Sequence, residues 1–223
     1  MDKIQELFMN PKKNIFKHST GYAELDASLE GGFPQGRIID LYGHDGVGKT
    51  LIGLDLMKHV CDLDLLGCYI DTNFGVDMKM LEDREICLEK MYFAQPDNGD
   101  MALDIILNVL DSGICDVMVI DSTAGFAPDI KSLADETNYK LFMKNAINKI
   151  SSLADKYNVT VVFLNEFRVG HDGKEMTLGT DYLTFEASIR GEILLQEDGI
   201  YLDITKNKVN SSYPKVKLYD RGE

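Results

Sequence analysis

The chain has 223 residues, 44% hydrophobic and 27% charged, which favours one globular domain over a disordered or multidomain protein. A net charge of −14 argues against nonspecific electrostatic attraction to nucleic acid or anionic membranes, and leaves open a local basic groove. The 4 cysteines form no CxxC pair, no apolar run approaches the ~20 residues of a membrane span, and the N-terminus lacks the apolar core of a signal peptide. We therefore expect a cytoplasmic protein with free thiols and no membrane contact.

Short apolar segments alternate with segments in which apolar residues recur at helical spacing. The pattern predicts strands at 37–42, 67–71, 115–122 and 159–166, with helices at 50–63, 77–90, 99–110 and 139–156. The tail from 186 to 220 alternates polar and apolar residues, as antiparallel strands joined by turns do. The predicted fold is therefore α/β, with a mostly parallel central sheet flanked by helices and an antiparallel C-terminal extension.

The most specific motif is an eight-residue match to the GxxxxGK[ST] pattern of phosphate-binding loops. It follows a predicted strand and opens a predicted helix, so that successive backbone N–H groups can hold a phosphate. We predict that Lys49 reaches the β- and γ-phosphates of ATP and that the Thr50 hydroxyl ligates Mg²⁺. The nucleotide-binding residues predicted from this motif are Gly43, His44, Asp45, Gly46, Val47, Gly48, Lys49 and Thr50.

A carboxylate at the end of a buried strand is the second element of this site. Asp121 closes the apolar run VMVID, at the sheet edge where α/β proteins bind their ligands. There it can hold the Mg²⁺ shell together with Thr50. The alternative is that it caps the turn that follows, a role that Ser122 could equally take.

Eight short blocks occur in the order in which they are found in bacterial RecA recombinases. They are STGYAELD (19–26), EGGFPQGR (30–37), the phosphate loop (43–50), AQPDNGDMALDI (94–105), VMVIDS (117–122), FLNEFR (163–168), FEASIR (185–190) and ITKNKV (204–209). The chain resembles the RecA/UvsX recombinase family over about residues 19–220, and compact virus-encoded members are the expected nearest relatives.

The resemblance implies a RecA-like ATPase core at 19–223, after a short segment at 1–18 that could dock on another protomer. It implies an ATP-dependent helical filament on single-stranded DNA, which pairs that strand with homologous duplex DNA and exchanges strands. The N-terminal docking helix and C-terminal domain of bacterial RecA are not matched, so weaker or different protomer contacts are expected. A recombination mediator or a single-strand-binding protein would be a further partner.

The resemblance also assigns roles to three residues outside the phosphate loop. Lys206 and Lys208 match the element that reaches across the protomer interface to the neighbour's γ-phosphate, although on charge alone they could be solvated strand residues. Asp77 matches the position beside the adenine, and could equally be a plain helix N-cap.

One position departs from the family where the catalytic Glu is expected. Asn73 stands there, and an amide cannot accept a proton as a carboxylate does. Slow hydrolysis is the expected result, unless Glu166 or Asp45 takes over the role. Glu166 replaces the family's γ-phosphate-sensing Gln and is the better candidate, provided that Mg²⁺ or a lysine offsets its charge.

DNA contacts are predicted on a helix and a loop that carry basic residues. Lys140 and Lys144 lie one helical turn apart, and Arg168 and Lys174 flank the following loop. A solvated lysine face explains the helix equally well. Residues 1–20 and residues 199–223 each carry a net charge of +2, so the acidity belongs to the body of the chain between them. This acidic body is interpreted as a solubilising surface, or as one that meets the basic ends of a neighbouring copy.

The sequence therefore leaves more than one function open. A core-only recombinase that hydrolyses ATP slowly is preferred. The alternative is an ATP-binding mediator, a regulatory RecA paralogue without strand exchange, which Asn73 and the acidic loop at 127–139 favour. A hexameric helicase or a clock-type ATPase would share the fold but not the blocks.

Overall fold

A mixed sheet forms the centre of the computed structural model, which describes residues 15–126, 136–169, 175–177 and 180–220. The strands are β1 (Lys17–His18), β2 (Phe33–Pro34), β3 (Ile38–Gly43), β4 (Gly67–Asp71), β5 (Met91–Ala94), β6 (Val117–Asp121), β7 (Thr160–Val169), β8 (Glu175–Thr177), β9 (Ile189–Gln196), β10 (Gly199–Asn207) and β11 (Lys215–Asp220). The helices are α1 (Ala23–Ser28), α2 (Lys49–Asp62), α3 (Met78–Asp83), α4 (Gly99–Ser112), α5 (Glu136–Tyr157) and α6 (Thr180–Glu186), with a 3₁₀ turn at Thr123–Phe126.

The strand order in the main sheet is β11-β10-β9-β3-β7-β6-β4-β5, and β8 pairs with β7. Pairing is parallel from β9 through β3, β7, β6 and β4 to β5, and antiparallel between β9, β10 and β11. The predicted α/β class, a mostly parallel sheet with an antiparallel C-terminal extension, is confirmed. Because parallel strands end at one edge, the loops after β3, β4, β6 and β7 meet there.

Helices cover both faces of the sheet, and the strands are apolar on both sides as a result. In β6, Val117 and Val119 pack with Leu54 and Met57 of α2 in one buried cluster. The intervening Met118 and Ile120 pack on the other face with α4 and α5 in a second cluster. This period of two explains why the strand is a continuous apolar run in the sequence.

Two predicted segments differ from the structure. The helix predicted at 77–90 ends at Asp83, and Glu85 adopts a left-handed conformation with φ of 52°. Leu81 is its only buried residue, so too little apolar surface is available to hold further turns. The polar, glycine-containing segment 169–180 is predicted to be a loop, but it contains β8, which pairs antiparallel with β7, and the short helix α6 begins at its last residue. Among the described residues, no helix is long and apolar enough to cross a membrane.

Candidate nucleotide site

The phosphate loop connects β3 to α2 at the carboxyl edge of the sheet. Gly46 and Gly48 have φ of 75° and 97°, left-handed values that residues with a side chain rarely adopt. Val47 between them is buried and anchors the loop to the core. The loop therefore presents its backbone outward while its middle is fixed, as binding of a phosphate by backbone N–H groups requires.

Lys49 lies inside this loop. Its Nζ donates hydrogen bonds to the backbone oxygens of Gly43, at 3.0 Å, and His44, at 2.8 Å. The Asp45 carboxylate lies 3.8 Å from the same nitrogen, with its side chain 91% exposed. The Lys49 ammonium group is therefore held by the phosphate loop itself. A phosphate that binds to the loop would compete for it with the carbonyl oxygens of Gly43 and His44.

Thr50 and Asp121 are brought together as the sequence predicts. The Thr50 hydroxyl donates a 2.7 Å hydrogen bond to Asp121 Oδ2, and the Tyr69 hydroxyl donates another at 2.8 Å. Asp121 is 4% exposed, and burial raises the pKa of its carboxyl group while the hydrogen bonds from Thr50 and Tyr69 oppose that rise. Ser122 Oγ, not Asp121, accepts the hydrogen bond from Ala124 N–H in the turn that follows.

This pair fits a magnesium ion that is also held by phosphate oxygens. Mg²⁺ prefers oxygen ligands, keeps several waters and commonly uses one or two protein groups beside the phosphates. The described residues contain no group of three or more His, Cys, Asp or Glu side chains that could hold a metal alone. A hydroxyl and one carboxylate beside a phosphate loop are therefore consistent with a metal that arrives with a nucleotide.

The loop after β4 is held by Asp71, whose role the sequence did not indicate. Its fully buried carboxylate accepts hydrogen bonds from the N–H groups of Asn73, at 3.1 Å, and Val76, at 2.9 Å. Gln95 Nε2 donates a third at 2.9 Å. The Asn73 side chain donates from Nδ2 to Ser122 Oγ at 3.0 Å, beside Asp121. An amide therefore occupies the position beside the site where the family resemblance places a carboxylate.

Glu166 lies at the same edge of the sheet. It pairs in register with Gly43, the first residue of the phosphate loop, on the strand between β3 and β6. It is half-buried, and its N–H donates to Asn165 Oδ1 at 2.9 Å. Glu166 on β7, Asp121 at the end of β6 and the phosphate loop after β3 thus belong to three neighbouring strands.

Asp77 caps α3, and its Oδ1 accepts a hydrogen bond from the Met80 N–H at 2.8 Å. The interpretation of Asp77 as a helix N-cap is confirmed. The adenine contact that the resemblance implies for it stays a prediction.

Lys206 and Lys208 lie away from the phosphate loop. In the register of the sheet, Lys206 lies opposite Arg190 of β9. Arg190 in turn lies opposite Asp40 of β3, three residues before the loop begins. Both ammonium groups donate to backbone oxygens at the end of α6: Lys206 to Thr184 and, at 3.0 Å, to Phe185, and Lys208 to Phe185 at 2.5 Å. The structure does not bring these lysines to the phosphate loop of their own chain.

The predicted DNA contacts are only partly within the described structure. Lys140 and Lys144 are both exposed on α5, and Lys144 Nζ lies 5.7 Å from the ring centroid of Tyr182. Arg168 belongs to β7, opposite Met176 in the register, and its side chain lies outside the described residues. Lys174 also lies outside them.

A buried cluster of hydrogen-bonded polar side chains, on the strands that lead to the phosphate loop, was not predicted from the sequence. Asp40 is fully buried and accepts hydrogen bonds from Arg190 Nε, at 2.7 Å, and Asn165 Nδ2, at 3.3 Å. Burial raises the pKa of Asp40, and the nearby Arg190 guanidinium opposes this. A charged residue inside the apolar strand RIIDLY was the signal that could have indicated a buried partner.

Comparison with known proteins agrees with this geometry. The family model of the RecA N-terminal domain matches residues 2–218. The chain is 31% identical to RecA of Mycoplasma mycoides subsp. mycoides over an alignment that covers 98% of this chain and 70% of that protein. It is 31% identical to RecA of Campylobacter lari over 220 residues, covering 89% of this chain and 64% of that protein.

These relatives are bacterial, and the expected viral origin stays a prediction. The chain spans about two thirds of the length of the relatives it matches. A family match over nearly all of its residues, together with the loop, the strand order and the Thr50–Asp121 contact, shows that the chain belongs to the RecA family.

Proposed function

We propose that this protein is an ATP-dependent recombination protein that assembles on single-stranded DNA as a filament, pairs it with homologous duplex DNA and hydrolyses ATP slowly. Membership of the RecA family supports ATP binding and a part in DNA recombination and repair in general terms. The finer parts of the proposal rest on which residues lie at the carboxyl edge of the sheet and which lie away from it.

The nucleotide would be held at the carboxyl edge of the sheet. The loop from Gly43 to Thr50 supplies N–H groups, Lys49 supplies a cation, and Thr50 with Asp121 supplies oxygens for Mg²⁺. When bound, Mg²⁺ neutralises charge on the phosphates. The protein residues bind and orient the triphosphate, and the bound ion adds positive charge beside the buried Asp121 carboxylate.

The observation that carries the proposal is the separation of Lys206 and Lys208 from that loop. Lys206 lies near the end of β10, level with residues that precede the loop along β3, and Lys208 follows directly after that strand. In the hydrogen bonds described, both ammonium groups contact only carbonyl oxygens of α6. A γ-phosphate contact for them requires the nucleotide of another copy. Such a contact would make assembly depend on ATP, because the nucleotide then lies between two protomers.

Slow hydrolysis follows from the residues beside the site. Asn73 cannot act as a general base, and such a base is typically worth about 10²–10⁴-fold in rate. Glu166 is proposed to accept the proton from the attacking water at its carboxylate. Its place one strand away from both the loop and Asp121 supports this role.

The proposed DNA surface comprises Lys140 and Lys144 on α5, Arg168 near the end of β7, and Lys174. Residues 1–18 are proposed to act as a docking segment for the core at 19–223, and a mediator or a single-strand-binding protein as a further partner. The proposed DNA surface is confined to these few basic residues, because the chain as a whole carries a charge of −14 and repels phosphate elsewhere.

Electron microscopy with a non-hydrolysable ATP analogue, with and without single-stranded DNA, tests the proposal. Continuous filaments that require both the analogue and DNA support it. Closed rings would indicate a helicase or clock-type ATPase instead. Monomers under all conditions would favour the second candidate, an ATP-binding mediator without strand exchange, which the amide of Asn73 at the expected catalytic position supports.

A further inference from the structure

The Tyr69 phenol is a buried donor beside the carboxylate that the proposed function assigns to Mg²⁺. Tyr69 is fully buried, and its ring stacks on that of Phe93 of the edge strand β5, with centroids 6.0 Å apart. Its hydroxyl reaches from β4 to the end of β6 and donates to Asp121 Oδ2 at 2.8 Å. A side chain of an otherwise apolar core thus presents its one polar atom to the candidate metal site.

The helix that follows the phosphate loop leaves room for this phenol. Gly53 lies one helical turn after Thr50 on α2, and a Cβ atom there would lie 3.3 Å from the Tyr69 hydroxyl and 2.8 Å from Leu164 Cδ1. A close-packed interior accepts such contacts only if its atoms move. The hydroxyl therefore reaches Asp121 past a part of the helix surface that glycine keeps free of a side chain.

Thr50 and Tyr69 donate to the same carboxylate oxygen. The two hydrogen bonds described for the Asp121 side chain both end on Oδ2. An ionised carboxylate has two oxygens with about two lone pairs each, so two donors occupy Oδ2. Oδ1 is then the oxygen that a cation, or a water bound to a cation, can use.

Divalent cations differ in what they require from a carboxylate. Mg²⁺ is small, keeps several of its waters and binds through one or two carboxylates beside the phosphates of a nucleotide. Ca²⁺ takes about 6–8 oxygen ligands, and it often binds both oxygens of one carboxylate. A carboxylate with one oxygen already occupied therefore suits Mg²⁺ and denies Ca²⁺ a contact with two oxygens.

We propose that Tyr69 is a positioning residue that sets the metal specificity of the nucleotide site, because its hydroxyl restricts Asp121 to one oxygen for the metal. The inference rests on the proposed function for the presence of a nucleotide with Mg²⁺ at this site. Tyr69 acts through Asp121 and does not ligate the metal itself. The Tyr69→Phe substitution keeps the ring and frees a lone pair of Oδ2, so Ca²⁺ gains a ligand that Mg²⁺ does not need.

The test compares Mg²⁺ and Ca²⁺ as the ion that supports binding of a fluorescent, non-hydrolysable ATP analogue in the absence of DNA. Each ion is titrated at a fixed analogue concentration, and the half-maximal Ca²⁺ concentration is divided by the half-maximal Mg²⁺ concentration. Wild type is expected to need more Ca²⁺ than Mg²⁺. Tyr69→Phe is expected to lower this ratio about 2- to 10-fold, the range that corresponds to one hydrogen bond.

Tyr22→Phe is the matched control. It also removes one tyrosine hydroxyl from a hydrogen bond, since Tyr22 Oη lies 2.7 Å from Tyr219 Oη, and it should keep the wild-type ratio. Melting temperature and analogue affinity in EDTA are measured on the same variants. Y69F keeps the bond from Thr50 to Asp121 and is expected to stay folded, with the metal-free affinity of wild type.

The inference is overturned by a wild-type ratio in Y69F, by an equal fall in Y22F, or by a wild type that needs equal concentrations of the two ions. The last comparison decides by itself if Y69F melts below the assay temperature. If neither ion raises the analogue affinity of wild type, the Mg²⁺–nucleotide part of the proposed function is wrong, and the inference fails with it. If the Y69F ratio falls as expected but no oligothymidine binds, the DNA part of the proposed function is wrong and the metal specificity stands.

Discussion

Thr50 Oγ1 donates a 2.7 Å hydrogen bond to Asp121 Oδ2, and this bond joins the first turn of α2 to the carboxyl end of β6. Tyr69 donates to the same oxygen from β4. Three elements therefore converge on one buried carboxylate, whose pKa is raised by burial. A group held in this way costs stability when it is charged, and the cost is relieved when a cation binds beside it.

Replacement of Asp121 by Asn is expected to stabilise the protein in the absence of Mg²⁺. Because the folded-state pKa is raised, the stability that this group contributes is present below the ordinary Asp pKa and is lost as pH rises through the folded-state value. At pH 8 the neutral amide avoids this loss, and a rise in Tm of about 2–4 °C corresponds to about 1 kcal/mol in a domain of this size. Differential scanning fluorimetry between pH 5 and 8 measures it.

The same variant is expected to lose the extra stabilisation that Mg²⁺ adds to the ATP analogue. Asp116→Asn is the control, because Asp116 Oδ2 accepts the Leu66 N–H at 2.9 Å at the opposite end of β6. That variant should melt at a lower temperature than wild type and keep the full Mg²⁺ response. A D121N protein that melts below wild type without Mg²⁺ would show that the carboxylate stabilises the empty site.

Much of this site follows from local sequence. The strand Gly67–Asp71 has the bounds predicted for it, and the phosphate loop lies between a strand and a helix as its glycines and lysine indicate. These features depend on residues that are neighbours in the chain, where propensity and motif spacing carry the information.

The contacts of Tyr69 and Phe167 could not be predicted in the same way. Tyr69 reaches Asp121 only because β4 and β6 pair with Asp71 opposite Asp121. The ring centroid of Phe167 lies 4.7 Å from that of His44 only because β3 lies beside β7. Register between strands that are distant in sequence is set by packing of the whole sheet. The short strand β8 is likewise defined by its partner β7 and carries no apolar run of its own.

Two single substitutions, one at Asn73 and one at Glu166, test why ATP hydrolysis is slow. Asn73→Glu is expected to increase ATP turnover by at least about 10-fold, since it restores a general base next to Ser122 and Asp121. Glu166→Gln is expected to reduce wild-type turnover about 10²-fold, because the remaining carboxylate is removed without loss of volume. Steady-state phosphate release at saturating ATP measures both.

Asp45→Asn is the control for these two variants, since Asp45 is exposed and paired only loosely with Lys49. It should change turnover by less than about 3-fold if the proton acceptor is elsewhere. Wild-type turnover in E166Q would remove Glu166 from the mechanism. Turnover lost in D45N instead would assign the role to Asp45.

The proposed DNA face predicts a defined change in salt dependence. Each phosphate contact to single-stranded DNA contributes about 0.7 to the slope of log K against log salt. Lys140→Ala with Lys144→Ala should therefore make the slope shallower by about 1.4. Fluorescence anisotropy with a labelled oligothymidine, in the presence of the ATP analogue, measures this slope.

The matched control removes two other lysines of the same helix, Lys149 and Lys156. Lys156 pairs with Asp111 at 3.3 Å, and Lys149 points to a different side of α5 from Lys144. This double variant carries the same charge as the first and should keep the wild-type slope. Equal slopes in both double variants would mean that only net charge matters and that α5 does not face the DNA.

The lowered pKa of Lys206 predicts how assembly depends on pH. Burial lowers its pKa to about 8, and the neighbouring cations Lys208 and Arg190 add to that shift while Asp40 opposes it. A lysine with this pKa is largely charged at pH 7 and largely neutral at pH 9. If it meets the phosphate of a neighbouring copy, ATP-dependent assembly should weaken by up to about 10-fold per pH unit above 8. Light scattering with the ATP analogue at pH 7, 8 and 9 measures the assembly.

Arginine at this position separates the charge of Lys206 from other effects of pH. Lys206→Arg keeps its charge at pH 9, so assembly of this variant should be nearly constant over the range in which wild-type assembly falls. Lys215→Arg on β11, over the ring of Tyr201, is the control and should follow wild type. If K206R assembles at pH 7 and falls off as steeply as wild type, the titrating group is elsewhere and Lys206 does not carry the contact. If it stays level, the cation on β10 is what makes the protomer interface depend on ATP.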